Sequence, residues 1–188
     1  MLRSFLAIEL PKPILNKIEE VQADLRSTHA DVRWVSPEKI HLTLKFFGNI
    51  EESKIETIVQ SMDEPIRVTS PFLLTVRGMG AFPHFKNPRV IWVRMAGGEE
   101  KLTSFQRQLE SQFEKIGFEG EDRSFHPHLT LGRAKSNRGK EELIRTIEKH
   151  KEDEFGDIQV ERMILFKSEL KPSGPIYTPL REMKLGGL

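Results

Sequence analysis

Two histidines in this chain are each followed two positions later by threonine, with leucines between and after: His41-Leu42-Thr43-Leu44 and His128-Leu129-Thr130-Leu131. The chain has 188 residues and six histidines. At ordinary Leu and Thr usage, a second copy of the tetrapeptide arises by chance in roughly one such chain in a few hundred. In a strand, alternate side chains point to opposite faces, so His41 and Thr43 share one face and Leu42 and Leu44 the other. The same holds for His128 and Thr130 against Leu129 and Leu131. The leucines suit a core, and the His/Thr pairs suit solvent or a cleft. A polar strand face would explain one such pair. Two copies on two lobes, related by a pseudo-twofold axis, would bring two imidazoles and two hydroxyls into one cleft.

That set suits phosphoryl transfer. In-line displacement at phosphorus needs a base on the attacking side and an acid on the leaving side. Imidazole titrates near neutrality, so one His can be neutral while the other is protonated. The Thr hydroxyls can donate to the non-bridging oxygens as charge develops there. The scheme requires no metal. The two motifs are nearly equivalent, so the sequence alone leaves open which His is the acid.

The elements that must position these residues follow from periodicity. Strands are predicted over Arg3–Leu10, Val32–Val35 and Ile40–Phe47, the last ended by Gly48. Ile14, Ile18, Val21 and Leu25 have helical spacing, and Ile55, Ile58, Val59 and Met62 mark a second helix. "FLLTVRG" and "RVIWVRM" read as strands joined by a Gly/Pro-rich loop, "MGAFPHFKNP". Gly97-Gly98 opens a third helix, with Leu102, Phe105, Leu109, Phe113 and Ile116 inward and Gly117 after its end. A fourth helix is expected near Lys140–His150, then strands at Ile158–Glu169 and Pro175–Met183. The expectation is an α+β fold in one domain over residues 1–188. It is bilobal, with two antiparallel sheets related by a pseudo-twofold axis, helices outside and a central cleft.

Composition sets limits. Charged residues make up 30% and net charge is only +1, so a polyanion site must be a local basic patch. The absence of Cys removes disulfides, thiolate metal sites and cysteine nucleophiles. No apolar run approaches a membrane span, and "MLRSFLAIELPKP" lacks the pattern of a signal peptide, so a cytoplasmic protein is expected.

The sequence resembles the two-histidine (2H) phosphoesterases, in the branch of RNA 2′,3′-cyclic phosphodiesterases also called 2′-5′ RNA ligases or LigT-like proteins. The hallmark is two His-x-Thr-x motifs. "RSFLAI", "LTLKFFG", "GMGAFP", "RVIW", "HLTLGR" and "GPIY" are similar to this branch in the same order along nearly the whole chain. The resemblance implies a hydrolase that opens a 2′,3′-cyclic phosphate at an RNA end to a 2′-phosphomonoester, without metal or other cofactor. By motif, His41 would be the general acid, His128 the general base, and Thr43 and Thr130 the phosphate holders. It also implies a reverse 2′-5′ ligation. Alternatives are cyclic or 2′-5′-linked nucleotide substrates, or a non-catalytic RNA-end-binding module. RNA ends are the expected partner, and a cleft within one chain points to a monomer.

The family has a phosphate-contacting Arg where this chain has Arg133. Strict alternation turns Arg133 away from His128 unless Gly132 re-aims it. Phe5, Phe46 and Tyr177 are candidates for stacking on a base. His126 shares the face of His128 by alternation and is placed at the cleft rim. Three imidazoles could otherwise hold zinc, a role the family resemblance does not support. "RAKSNRGK" is a candidate contact for further RNA phosphates.

Overall fold

The computed structural model describes residues 1–120, 124–172 and 174–186. Its elements in chain order are β1 (Leu2–Glu9), α1 (Lys12–Arg26), β2 (Val32–Trp34), a 3-10 turn at Pro37–Lys39 and β3 (His41–Ile50). There follow α2 (Lys54–Ser61), α3 (Asp63–Val68), β4 (Phe72–His84), β5 (Asn87–Gly97), α4 (Glu99–Lys115) and β6 (His128–Ala134). The chain ends with α5 (Lys140–Lys149), β7 (Glu154–Val160), β8 (Arg162–Lys171) and β9 (Gly174–Lys184).

Two antiparallel sheets result. One has the order β3-β1-β8-β9, and the other β2-β6-β5-β4-β7. With β2 set aside as an added edge strand, the orders superpose: β3 corresponds to β6, β1 to β5, β8 to β4 and β9 to β7. The α+β bilobal fold with two related sheets and outer helices is therefore present. Neither sheet is contiguous in sequence, because β2 joins the second sheet ahead of β3, and β8 and β9 return to the first after β7.

The helices cross over as well. α1 follows β1 but lies on the second sheet, where Lys17 donates to the Glu154 carbonyl and Gln22 to that of Leu131. α4 follows β5 but packs beside α2 and α3, with Phe113 edge-on to Phe47 of β3. Apolar residues at helical spacing explain both placements. Ile14, Ile18, Val21 and Leu25 are buried from α1, and Leu102, Phe105, Leu109 and Phe113 from α4. They join Leu42, Leu44, Leu129 and Leu131 in one large core. A second, smaller apolar cluster of Phe5, Ala7, Ile164 and Phe166 lies on the other face of the first sheet.

Three expectations are corrected. Gly48 does not end its strand, because β3 continues to Ile50 and Gly48 takes φ of +71° beside an irregularity in register. "MGAFPHFKNP" is not a loop. It extends β4 and β5 into a long hairpin, with Ala81 opposite Ile91 and Phe82 opposite Val90. The Gly and Pro residues mark bulges there rather than an end to pairing. The segment Ile158–Glu169 is two strands in different sheets, divided at Glu161. The second helix is present as α2, and a short helix not expected, α3, follows it, with Pro65 buried in its first turn, where it needs no N–H partner. No helix among the described residues is long and apolar enough to cross a membrane.

Candidate active site

β3 is an edge strand of its sheet, and β6 has only the short β2 outside it. The two sheets approach each other through these strands, with Cα atoms of β3 and β6 within 8 Å. The motif leucines 42, 44, 129 and 131 are buried, whereas His41, Thr43, His128 and Thr130 are half-buried on the opposite face. The structure thus brings both His/Thr pairs to the side of their sheets away from the helices.

The two histidines are held alike. His41 Nδ1 lies 2.8 Å from the Lys39 carbonyl and His128 Nδ1 lies 2.6 Å from the His126 carbonyl. A carbonyl only accepts, so each Nδ1 carries the proton and donates it. Each Nε2 is left able to give or take a proton. Aromatic rings set the ring planes. Phe5 stacks on His41 at 4.7 Å and Tyr177 meets it edge-on at 5.2 Å. Phe82 meets His128 edge-on at 5.2 Å, with Trp92 at 6.4 Å. A cavity of about 230 Å³ opens beside His128, lined by Phe82, Trp92, Arg94, Glu99 and His126.

Burial lowers the pKa of His41, opposed by the bond to the Lys39 carbonyl. Burial also lowers that of His128, opposed by the bond to the His126 carbonyl, and the neighbouring Arg133 adds to the lowering. Arg133 therefore distinguishes two otherwise matching imidazoles. Burial raises the pKa of the Tyr177 hydroxyl.

Arg133 reaches the histidine face through a β-bulge. Thr130 pairs with Trp92 and Gly132 with Ile91, so Leu131 has no partner of its own in β5. The extra residue reverses the alternation beyond it. Gly132 then faces the core, where a Cβ would stand 2.7 Å from Trp34 and 2.8 Å from Val32. Arg133 takes the face of Thr130. β3 has the same device: Thr43 pairs with Ala7 and Lys45 with Leu6, so Leu44 is the extra residue. Lys45 turns inward, donating to Glu110 and, at 2.8 Å, to the Glu119 carbonyl. Phe46 turns to the His41 face and is 55% exposed, so its ring is open to a ligand.

Two glutamines that sequence reasoning missed hold these bulges. Gln22 Nε2 donates to the carbonyls of Val35 (2.8 Å) and Leu131 (2.9 Å). Gln106 Nε2 donates to the Leu44 carbonyl at 3.4 Å and to Glu110 at 3.3 Å. Both are buried. Their signal was a polar residue set within an apolar helical stripe: Ile18-Gln22-Leu25 and Leu102-Gln106-Leu109.

The other candidates divide. Phe5 is 2% exposed, occupied by His41, Phe166 and Tyr177 rather than open to a base. Tyr177 is half-buried at the edge of this cluster. His126 precedes β6, so strand alternation does not apply to it. Its ring Nε2 lies 3.0 Å from Ser124 Oγ, and its carbonyl holds His128. No group of three potential metal-ligating side chains occurs among the described residues.

Comparison with known proteins agrees with this doubled architecture. A family model described as LigT like phosphoesterase matches residues 8–92 and again residues 94–177. The chain belongs to the LigT-like phosphoesterase family. An RNA 2′,3′-cyclic phosphodiesterase of Methanothermobacter thermautotrophicus is 37% identical over 97% of this chain and 98% of its own. A protein of that name from Methanocaldococcus jannaschii is 33% identical over 96% of this chain and 99% of its own. Among solved structures, TT0787 of Thermus thermophilus superposes with TM-score 0.83 at 30% identity, covering 99% of each chain. Escherichia coli LigT in its apo form superposes with TM-score 0.76 at 28% identity, covering 98% of this chain and 97% of its own. These LigT-like relatives span the same two lobes as this chain.

Proposed function

We propose that this LigT-like chain is an RNA 2′,3′-cyclic phosphodiesterase that produces a 2′-phosphomonoester. The observation that carries the proposal is the matched pair of imidazoles, each with Nδ1–H tied to a carbonyl two residues back and Nε2 left for proton transfer. His128 Nε2 takes a proton from water as the water oxygen bonds to phosphorus. The P–O3′ bond breaks, and the 3′-oxygen receives the proton of His41 Nε2. The phosphate stays on the 2′-oxygen. Burial, and after it the charge of Arg133, lower the pKa of His128, which favours the neutral form that a base requires. Thr43, Thr130 and Arg133 hold the non-bridging oxygens. No step runs through a metal or cofactor. Among the described residues no hydrogen bond engages either Thr hydroxyl, so both remain able to donate.

Phe46 and Tyr177 receive the terminal base, while Phe5 positions His41. The same residues run in reverse would join a cyclic end to a 5′-hydroxyl as a 2′-5′ linkage. One chain supplies both histidines, so a monomer suffices, and the reading places the protein in RNA processing in the cytoplasm.

The test is an RNA ending in a 2′,3′-cyclic phosphate, incubated with the protein in EDTA. Conversion to the 2′-phosphate is expected, with H41A and H128A each losing at least about a hundredfold in rate. No turnover, or turnover unaffected by either substitution, would overturn the proposal. Tight RNA binding without turnover would support a binding module instead.

A further inference from the structure

Arg133 has a neighbour that the mechanism leaves without a role. β2 pairs with β6 so that Arg33 stands directly opposite Arg133. Val32 and Trp34, on either side of Arg33, pack against the core. Arg33 therefore shares the face of Arg133 and Thr130. Like charges directly opposite on a sheet repel and reduce stability. Both guanidiniums are exposed, and neither has an ion-pair partner among the described residues. The adjacent carboxylate is engaged elsewhere, since Asp31 accepts from Ser136 Oγ at 2.7 Å. Backbone bonds from Lys135 to Asp31 and from Asp31 to Arg138 fasten the "RAKSNRGK" loop to the same edge. That edge holds Arg33, Arg133, Lys135 and Arg138 without a matching acid on the strand.

We propose that Arg33, together with Arg133, forms a second phosphate site. It would take the phosphodiester that precedes the reacting nucleotide of an RNA end. The inference deepens the phosphodiesterase reading and rests on it. A planar guanidinium fork suits bidentate phosphate binding, and a bound anion converts the repulsion between the two arginines into a favourable clamp. Position separates the two roles. Arg133 stands on the histidine strand itself, near enough to depress the pKa of His128. Arg33 lies one strand further out, about 4.8 Å in sheet spacing. Arg133 thus serves the reacting phosphate or both phosphates, and Arg33 the outer one. A mononucleotide has no outer phosphodiester, so Arg33 makes the site selective for oligomers.

The experiment compares kcat/KM of the full protein for a 2′,3′-cyclic mononucleotide and for a trinucleotide with the same end. R33Q should lower the trinucleotide-to-mononucleotide ratio about tenfold and reduce the salt slope for the trinucleotide by about one. A trinucleotide with a neutral methylphosphonate at the outer linkage should show the same loss in the wild type, and R33Q should then add nothing. Equal losses on both substrates, or an unchanged ratio, would overturn the proposal. If the wild type turns over neither substrate, the hydrolase reading fails, and binding of a 2′-phosphate-ended trinucleotide decides the subsite. R33Q should then weaken the native linkage but not the methylphosphonate. Equal weakening of both, or none, overturns it. A thermal melt of R33Q matching the wild type shows that the variant is folded.

Discussion

Phe46 and Arg133 occupy equivalent places in the two halves of the molecule. Each stands three residues beyond a motif threonine, and each shares that threonine's face because of a bulge at the intervening leucine. Simple alternation would put both on the opposite face. The residue before each takes the inward position: Lys45 with an ionic partner, Gly132 with no side chain at all. One bulge geometry thus presents an aromatic ring on one side of the site and a cation on the other.

The bulge at Leu131 depends on Gln22. Replacing Gln22 with Met removes donors to two carbonyls, one of them in a buried bond. A stability loss of about 2 kcal/mol is expected by urea unfolding. Arg133 should also be displaced, so kcat/KM should fall more than the folded fraction does. A variant with full stability and full activity would show that Gln22 does not hold the bulge.

Lys45 is buried, and its ammonium meets Glu110 from α4. K45M removes the cation from a largely buried carboxylate and should cost about 3 kcal/mol or more. The double variant K45M/E110L, apolar at both positions, should recover much of that loss. Additive losses in the double variant would contradict the pairing.

The pH–rate profile should be a bell. Burial lowers both histidine pKa values, and Arg133 adds to the lowering at His128. Both limbs of kcat/KM should therefore lie below the ordinary imidazole value of about 6.5. R133Q should raise the pKa of His128 and leave that of His41 in place, as read by NMR titration of the two rings. Equal movement of both would refute the assignment of Arg133 to one histidine.

Stability should follow the same groups. A histidine with a lowered pKa binds fewer protons folded than unfolded, so stability rises with pH through this range. The contribution of His41 and His128 is complete above about pH 6.5 and is lost as pH falls through the unfolded value toward the folded ones. Unfolding free energies at pH 7.5 and 5.0 should differ less in H128Q than in the wild type. An identical difference would contradict the burial of a neutral imidazole at position 128.

Much of this was legible in advance where the signal is local. The doubled His-x-Thr, the leucines behind it and the stripes of α1 and α4 are periodic features, and periodicity survives without knowledge of neighbours. β7 and β8 were not separable, because a single residue divides two strands that belong to different sheets. The distal part of the β4–β5 hairpin, "MGAFPHFKNP", reads as a loop in the sequence, because glycine and proline signal a turn and a bulge in the same letters.

By itself the sequence determined the residue types at the candidate site, their spacing and the side of each strand that carries leucine. Those depend on the chain's own two-residue repeat. Only the tertiary structure decided which residues beyond the motif reach the same face. A bulge adds one residue against a partner strand, and that partner is chosen by pairing between distant segments. Trp92 and Ile91 thereby set Arg133 on the face of Thr130, and Gln22, from a helix a hundred residues earlier, supports the bend.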